Sequence, residues 1–498
     1  MKWPIVTAFA AVALLSSCTS VKPLPGEASK GRGSAKEAIS IVINSNNFSF
    51  PDGYNENRNP YLQFIEDHTD LDVEVLLPPV IGYQKTANSF LNAEKLPDMI
   101  SIPSKILVAK HARQNALMPL DELLDLYGAN LKANIPESVW EQARFNGHLY
   151  AIPSMSETQG MELMYVRKDW LDKLGLQPPA TLEEYERVIR AFAEEDPDGN
   201  GKADTFGLSM VNNLFRSAPF FGAFGLQLDQ WVERDGKLVY SHILPEMKEA
   251  LLFLSRLYKE QLIDQDFPLN THSTLAEKIK RGQVGLFSAT WYDTRTMIAE
   301  NKRFDPAAEW IPLEYPIGPS GKKGVYATKR VQSYQVIPAS SKHGEAVIRF
   351  LNFIAGKGKQ DLVLGFEHQV WKRIDDKIVS DFAEHDKHLY RGMYSSLAWI
   401  DDPNLLRIRL DSYGKEFRLF ENLQLIQRNL IHDQFTGLPT PTMEESFVEL
   451  NELNGIFMKI VIGAAPPEDF DLYVKQWKEG GGDVITQEVN DWYQSSQK

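Results

Sequence analysis

Ile39-Ser40-Ile41-Val42-Ile43 is a run of mostly β-branched residues followed by a polar loop, Asn44 to Asn57. Such a run reads as a buried strand. Asn59 to Thr69 then predicts a helix with Pro60 in its first turn. Leu71 to Leu77 is a second strand, Tyr83 to Glu94 a second helix and Asp98 to Ile102 a third strand, before another helix to Asn115. This βαβαβ alternation predicts a mainly parallel sheet covered by helices on both faces. Ligands of such sheets sit outside the carboxyl ends of the strands. The loop after the first strand and Leu96-Pro97-Asp98 are the expected rim positions.

Further along, Gly147 to Pro153 predicts a strand that ends in a polar turn. Thr181-Leu182-Glu183-Glu184 is a capping box ahead of the apolar spacing Tyr185, Val188, Ile189, Phe192. A long helix is expected from Pro245 to Glu260. Strands are expected at 284–289, 309–315 and 332–337, and an apolar helix at Glu345 to Ala355. The last 130 residues read as mostly helical, with 420–430 and 443–462 the strongest segments.

The chain has 498 residues, 43% apolar and 24% charged, enough to bury two large cores. Its 53 Lys and Arg against 67 Asp and Glu give a net charge of −14, so no nucleic-acid partner is expected. One cysteine, Cys18, excludes an intrachain disulfide framework and any Cys-based zinc or iron–sulfur site.

Cys18 stands at the end of MKWPIVTAFAAVALLSSC, residues 1–18. Lys2 supplies a positive start, and Trp3 to Leu15 form an apolar stretch too short to span a bilayer. Leu15-Ser16-Ser17-Cys18 resembles a bacterial lipobox, which implies a signal peptide over 1–17 and acylation of Cys18. Two or more acyl chains give stable anchoring where one does not. Residues 18–38, rich in Ser, Gly, Pro, Ala and Lys, read as a flexible tether. The expected location is the extracellular face of the cell membrane, held by lipid.

Asp196-Pro197-Asp198-Gly199-Asn200-Gly201-Lys202-Ala203-Asp204 has oxygen side chains at loop positions 1, 3, 5 and 9 and Gly at 6. This is the spacing of an EF-hand calcium loop. The Lys202 carbonyl stands at position 7. Gly207 occupies position 12, where a bidentate Glu is usual, so the ligand set is incomplete. A surface turn is the competing reading. We expect structural calcium on Asp196, Asp198, Asn200, Lys202 and Asp204.

Several ordered segments carry a family resemblance. Tyr150-Ala151-Ile152-Pro153 precedes Arg167-Lys168-Asp169-Trp170-Leu171-Asp172-Lys173-Leu174-Gly175 and the capping box. Asp235-Gly236-Lys237-Leu238-Val239-Tyr240, Leu257 to Asp264 and Lys280 to Gly285 follow. Trp477-Lys478-Glu479-Gly480-Gly481-Gly482-Asp483 and Glu488 to Tyr493 close the chain. Together these resemble the bacterial extracellular solute-binding proteins of ABC importers. The chain is most similar to the oligosaccharide-binding family 1 type, the alginate-binding and LipO-like lipoproteins. The resemblance implies a two-lobed, periplasmic-binding-protein-like (type II) α/β fold with an interlobe cleft. Lobe 1 would be 39–155 plus 318–370, and lobe 2 would be 156–317 plus 371–498. It also implies an oligosaccharide ligand, ABC permease partners and a monomer.

Sugar recognition needs flat apolar faces for C–H patches and planar hydrogen-bonding groups for hydroxyls. Trp140, Trp170, Trp477 and Trp492 lie in helical segments and read as core. Trp291, in Thr290-Trp291-Tyr292-Asp293, follows a strand end and matches a family segment whose aromatics face the cleft. It is the leading stacking candidate, with Tyr292 and Arg295 beside it. Trp371, Trp399 and Trp231 are further candidates, as is Gln159 for a polar contact. Phe220 and Phe221 read as cleft-lining or core.

No His-Glu-x-x-His, Walker A or Gly-x-Ser-x-Gly motif is present. His385 and His388 have no third ligand nearby and read as a polar face, and Asp375-Asp376 and Asp401-Asp402 as turns. A binding protein rather than an enzyme is expected. A surface glycoside hydrolase and a glycan-binding sensor or adhesin are the alternatives.

Overall fold

A computed structural model describes residues 36–497 other than 92 and 94. The expected signal peptide, Cys18 and most of the tether lie outside the described residues. Among the described residues no helix is long and apolar enough to cross a membrane.

The chain is a two-lobed α/β protein built on two sheets. In chain order the strands are β1 (Glu37–Val42), β2 (Leu71–Leu76), β3 (Met99–Ile102), β4 (Ile152–Met155), β5 (Glu162–Arg167), β6 (Phe206–Ser209), β7 (Val284–Thr290), β8 (Trp310–Leu313) and β9 (Val331–Val336). The first sheet has the order β2-β1-β3-β9-β4, and the second β8-β5-β7-β6. β1 pairs parallel with β2 and β3, in register Ile41↔Met99. β9 runs antiparallel to both β3 and β4. In the second sheet β5 is antiparallel to β7 and β8, while β6 is parallel to β7.

The expected opening alternation is present. Asn59 caps the helix Pro60–Thr69 by accepting from the amides of Tyr61 and Leu62, with proline in the first turn where no donor is lost. The Thr181 capping box forms both of its bonds, Glu184 N to Thr181 Oγ1 at 3.3 Å and Thr181 N to Glu184 Oε2 at 3.1 Å. Its helix, Leu182–Glu194, buries Tyr185, Val188, Ile189 and Phe192.

The last 130 residues are mostly helical, as expected, and also hold a hairpin, Trp371–Ile374 with Lys377–Ser380, turned by Asp375 and Asp376 at φ 48° and 61°. Two expectations are corrected. The segment 443–462 is two helices, Pro441–Glu452 and Gly455–Val461. Asp98 precedes β3, at its amino end, because β3 runs parallel to β1. Its carboxylate accepts from Ser40 N at 2.9 Å and Ser341 Oγ at 2.7 Å, so it locks the far end of the sheet.

Each sheet has its own apolar packing. Ile41, Val73, Ile100, Ile152, Val336 and Leu351 belong to the first core, together with Tyr390, Tyr394 and Ile400. The second sheet is packed on one side by Met164, Val166, Tyr185, Phe220 and Trp477. On its other side lie Leu163, Tyr165, Phe287, Trp291 and Val325. The first core therefore takes in 390–400, which the sequence expectation assigned to lobe 2, and Val325 packs with the second sheet.

Candidate binding cleft

Strand direction decides where a ligand can lie. In the first sheet the carboxyl ends of β1, β3 and β4 and the start of β9 share one edge. In the second, the carboxyl ends of β6, β7 and β8 share an edge with the start of β5. Residues 156–161 leave β4 for β5, and 327–330 return to β9, so the crossing segments attach at these same edges. Both sheets thus present strand ends, loops and unpaired backbone to the region of the crossings.

The crossings are bonded to one another. Ser156 N donates to Arg330 O at 2.8 Å, Thr328 N to Gln159 O at 2.8 Å and Thr328 Oγ1 to Thr158 O at 2.9 Å. A third segment, 396–399, is bonded to the end of β4 just before the first crossing, through Met155 N to Trp399 O at 3.0 Å and Ser154 Oγ to Ser396 O at 2.7 Å. Arg409 pairs with Glu157 of the first crossing. These links span few residues, as a hinge requires.

On the first-sheet side a cavity of about 180 Å³ opens at this edge. Asn44 and Asn46 reach it from the loop after β1, Ser101 from β3, Gln332 and Ser333 from β9, and Tyr83 from the start of its helix. Every lining residue is uncharged. Burial pushes the Tyr83 phenol up, against the lowering effect of its bond to Ser101, so it remains a neutral hydroxyl, donating to Ser101 O at 2.9 Å. Amides and hydroxyls on this scale match the donors and acceptors of a polyol. The Asn-rich loop after β1 is the rim position the sequence indicated. Tyr83, Gln332 and Ser333 carried no local signal, because β9 joins this edge only through a pairing across more than 200 residues.

On the second-sheet side, Trp291 follows β7. Its amide donates to Met161 O at 3.1 Å, and its carbonyl accepts from Asn422 Nδ2 at 3.2 Å. The indole is only 7% exposed, and its Nε1 has no hydrogen-bond partner. Tyr292 meets it edge-on, centroids 5.3 Å apart, and is 40% exposed. Gln159 lies in the first crossing nearby. Trp399 is half-buried in the third segment, with Arg409 5.6 Å above its ring.

Of the other candidates, Arg295 lies in the turn after β7, its amide donating to Tyr292 O at 3.0 Å, while Trp371 and Trp231 are enclosed. Arg295 pairs with Asp386 at 2.8 Å and lies 4.4 Å over Phe382, so its charge is engaged within the protein. Trp371 is 3% exposed, donates to Gly365 O at 2.7 Å and fills a small core with Val363, Leu364 and Val370. Trp231 is buried against Tyr240, centroids 5.4 Å apart. Both are packing residues, since neither leaves a ring face open. Phe220 and Phe221 are fully enclosed core.

Sequence reasoning did not find Glu162, the first residue of β5. It is buried, with Ser288 Oγ donating to it at 2.9 Å and Tyr326 OH at 3.4 Å. Burial holds its pKa above the usual carboxylate range, opposed by the Arg216 charge.

The Asp196 loop closes on itself. Asp196 accepts from the amides of Gly199, Asn200 and Gly201, each at 3.1 Å. Asn200 Nδ2 donates to Asp198 at 2.7 Å and to Asp204 at 3.0 Å. Burial, then the Asp196 contact and the Asp204 charge, push Asp198 up, with the Asn200 amide opposing. Burial raises Asp196 too, but the bonds from Asp198 and the three amides outweigh it and hold Asp196 low. Among the described residues no group of three or more His, Cys, Asp or Glu is arranged around a metal-sized centre. In this conformation the Asn200 Nδ2 bridges Asp198 and Asp204, carboxylates that a cation would draw together. The oxygen donors suit a hard divalent cation by type.

Residues 56–361 match the family described as bacterial extracellular solute-binding protein. The chain belongs to this family. Lipoprotein LipO of Bacillus subtilis is 25% identical over 506 residues, covering 94% of this chain and 95% of LipO. Among solved structures, alginate-binding protein AlgQ2 without calcium ion superposes with a TM-score of 0.71 at 17% identity, over 93% of this chain and 99% of AlgQ2. The Streptococcus pneumoniae substrate-binding protein FusA in complex with kestose does so at 0.69 and 20% identity, over 93% of this chain and 99% of FusA. An EF-hand mutant of FusA has also been solved. These likenesses show that this solute-binding protein has the two-lobed fold of that group.

Proposed function

We propose that this solute-binding protein captures an oligosaccharide between its two sheets and delivers it to an ABC importer permease. The observation that carries the reading is the uncharged cavity at the carboxyl ends of β1 and β3, lined by amides and hydroxyls. The Trp291-Tyr292 rim at the corresponding edge of the second sheet supports it. AlgQ2 and FusA support the substrate class through what their names and complexes record. Ligand bridging the two edges shifts the open–closed equilibrium toward the closed form about the bonded crossings. The closed form then docks on the permease.

The family supports binding over catalysis. A glycoside hydrolase would need two carboxylates about 5–10 Å apart across the scissile bond. Incubation with oligosaccharides tests this: unchanged ligand is the expected result, and accumulating product overturns it. Import rather than sensing is tested by uptake of labelled sugar in cells with and without the gene.

Two attachments complete the proposal. Cys18 carries the lipid that holds a monomeric protein at the extracellular face of the membrane, so a Cys18→Ser variant is released to the medium. The loop oxygens of Asp196, Asp198, Asn200 and Asp204, with the Lys202 carbonyl, take calcium as a structural ion.

A further inference from the structure

Ser209 ends β6 at the same edge of the second sheet as Trp291, and the chain continues Met210-Val211-Asn212-Asn213-Leu214-Phe215-Arg216. Three of these residues hold left-handed backbone without being glycine: Asn213 at φ 55°, Leu214 at φ 60° and Arg216 at φ 69°. Leucine and arginine are disfavoured there by the approach of Cβ to the carbonyl, so such geometry persists only where surrounding contacts impose it. Those contacts are present. Val211 N donates to Phe215 O at 3.0 Å, Phe215 N to Asn212 O at 3.2 Å and Asn212 N to Asn270 O at 3.0 Å. Ser217 Oγ donates to Leu214 O. The loop drives Leu214 into the core and leaves Phe215 59% exposed.

The direction of that exposure matters. Val211 and Ala218, on either side of the loop, pack in the same apolar cluster as Leu163, Ala289 and Trp291. The loop therefore leaves the sheet at the edge where β7 ends in Thr290, since β6 runs parallel to β7 with Ser209 opposite Phe287. Arg216 acts electrostatically on Glu162, which begins β5 at this edge. An aromatic ring held in water by a strained backbone forgoes hydrophobic free energy over its exposed face. A sugar ring does return it, because its C–H face stacks on an aromatic plane while its hydroxyls stay free for the polar side of the cleft.

We propose that Phe215 is a stacking platform for a sugar ring of the bound oligosaccharide, presented by the strained 213–216 loop. This rests on the oligosaccharide-binding reading above. The test is calorimetric titration of the chain and of Phe215→Ala, Phe215→Trp and Phe304→Ala with kestose, a maltooligosaccharide and an alginate oligosaccharide. Phe304 is a matched control: it is 62% exposed, and it precedes β8, whose start pairs with Arg167 at the opposite end of the sheet. The expected result is a tenfold or greater loss of affinity in Phe215→Ala. Phe215→Trp should bind within about threefold of the unmodified chain and Phe304→Ala like it, with the unliganded melting temperature of Phe215→Ala maintained. Binding by Phe215→Ala at the affinity of the unmodified chain overturns the platform and leaves the function standing. Equal losses in Phe215→Ala and Phe304→Ala also overturn it. An unmodified chain that binds none of the three sugars overturns the function reading and this proposal with it.

Discussion

The Trp291 amide donates to the Met161 carbonyl at 3.1 Å, which ties the end of β7 to the first crossing between the sheets. A ring placed here moves with the hinge rather than with a mobile loop. In the proposed reading, the bond links the Trp291-Tyr292 edge to the conformational change that binding is expected to drive.

Replacing Trp291 by Ala is therefore expected to weaken oligosaccharide binding tenfold or more, about 1.4 kcal/mol. Because Trp291 is 7% exposed and packs against the second sheet, the variant is also expected to lose stability, and affinity is read on the fraction that remains folded. Calorimetric titration checks the affinity, and an unaltered dissociation constant excludes the stacking role.

Trp371 makes the opposite prediction. Its ring and its Nε1 are used inside the protein. Trp371→Ala should cost about 3–5 kcal/mol of stability through the cavity it leaves. Denaturant unfolding measures this, and ligand affinity of the fraction that remains folded should be close to that of the parent chain. A stable variant that has lost sugar binding would return Trp371 to the cleft.

Calcium should raise the melting temperature. Asp198 is pushed up by burial and by its acidic neighbours, and an added cation relieves that repulsion. Scans in millimolar calcium and in EDTA should differ for the parent chain and coincide for Asp198→Asn. Coincident scans for the parent chain would remove the ion from the account.

His385 gives a pH signature. Burial and the charges of Arg391, Arg295 and His388 lower its pKa to about 3, and Arg391 Nη2 donates to its Nδ1 at 3.0 Å. The unfolded chain binds the proton near pH 6.5 and the folded chain does not. Stability therefore rises with pH through the window between about 3 and 6.5, and its contribution is lost on acidification. The slope from this group is at most about 1.4 kcal/mol per pH unit. Chemical unfolding at pH 5 and 7 should show the loss, and His385→Gln should flatten it. A parent chain equally stable at both values would contradict the burial of a neutral imidazole.

What the sequence could tell follows from the range of the interactions. The run Ile39 to Ile43 and the Thr181 capping box are local patterns, and both elements form as read. The placement of Trp291 just after a strand was legible because a strand, its end and the next residues are contiguous; the near-complete enclosure of its ring was not. Trp371 and Trp231 were misread as cleft candidates because enclosure depends on partners such as Gly365 and Tyr240, whose packing no spacing encodes. Asp98 failed for a directional reason: the rim position depends on which end of β3 aligns with β1. Tyr390 to Ile400 join the first core through contacts with distant residues, as in Asn59 Nδ2 to Tyr394 OH at 2.8 Å and Ser154 Oγ to Ser396 O at 2.7 Å. Phe215 gave no signal, since its exposure comes from left-handed backbone at Leu214 and Arg216, where sequence favours neither.

The central claim is that the cleft binds an oligosaccharide and leaves it intact. Calorimetric titration of the chain against neutral and acidic oligosaccharides, followed by chromatography of the recovered ligand, tests it most directly. The account predicts saturable one-to-one binding of at least one oligosaccharide, recovered unchanged. No binding across the panel, or recovery of shorter products, would contradict it.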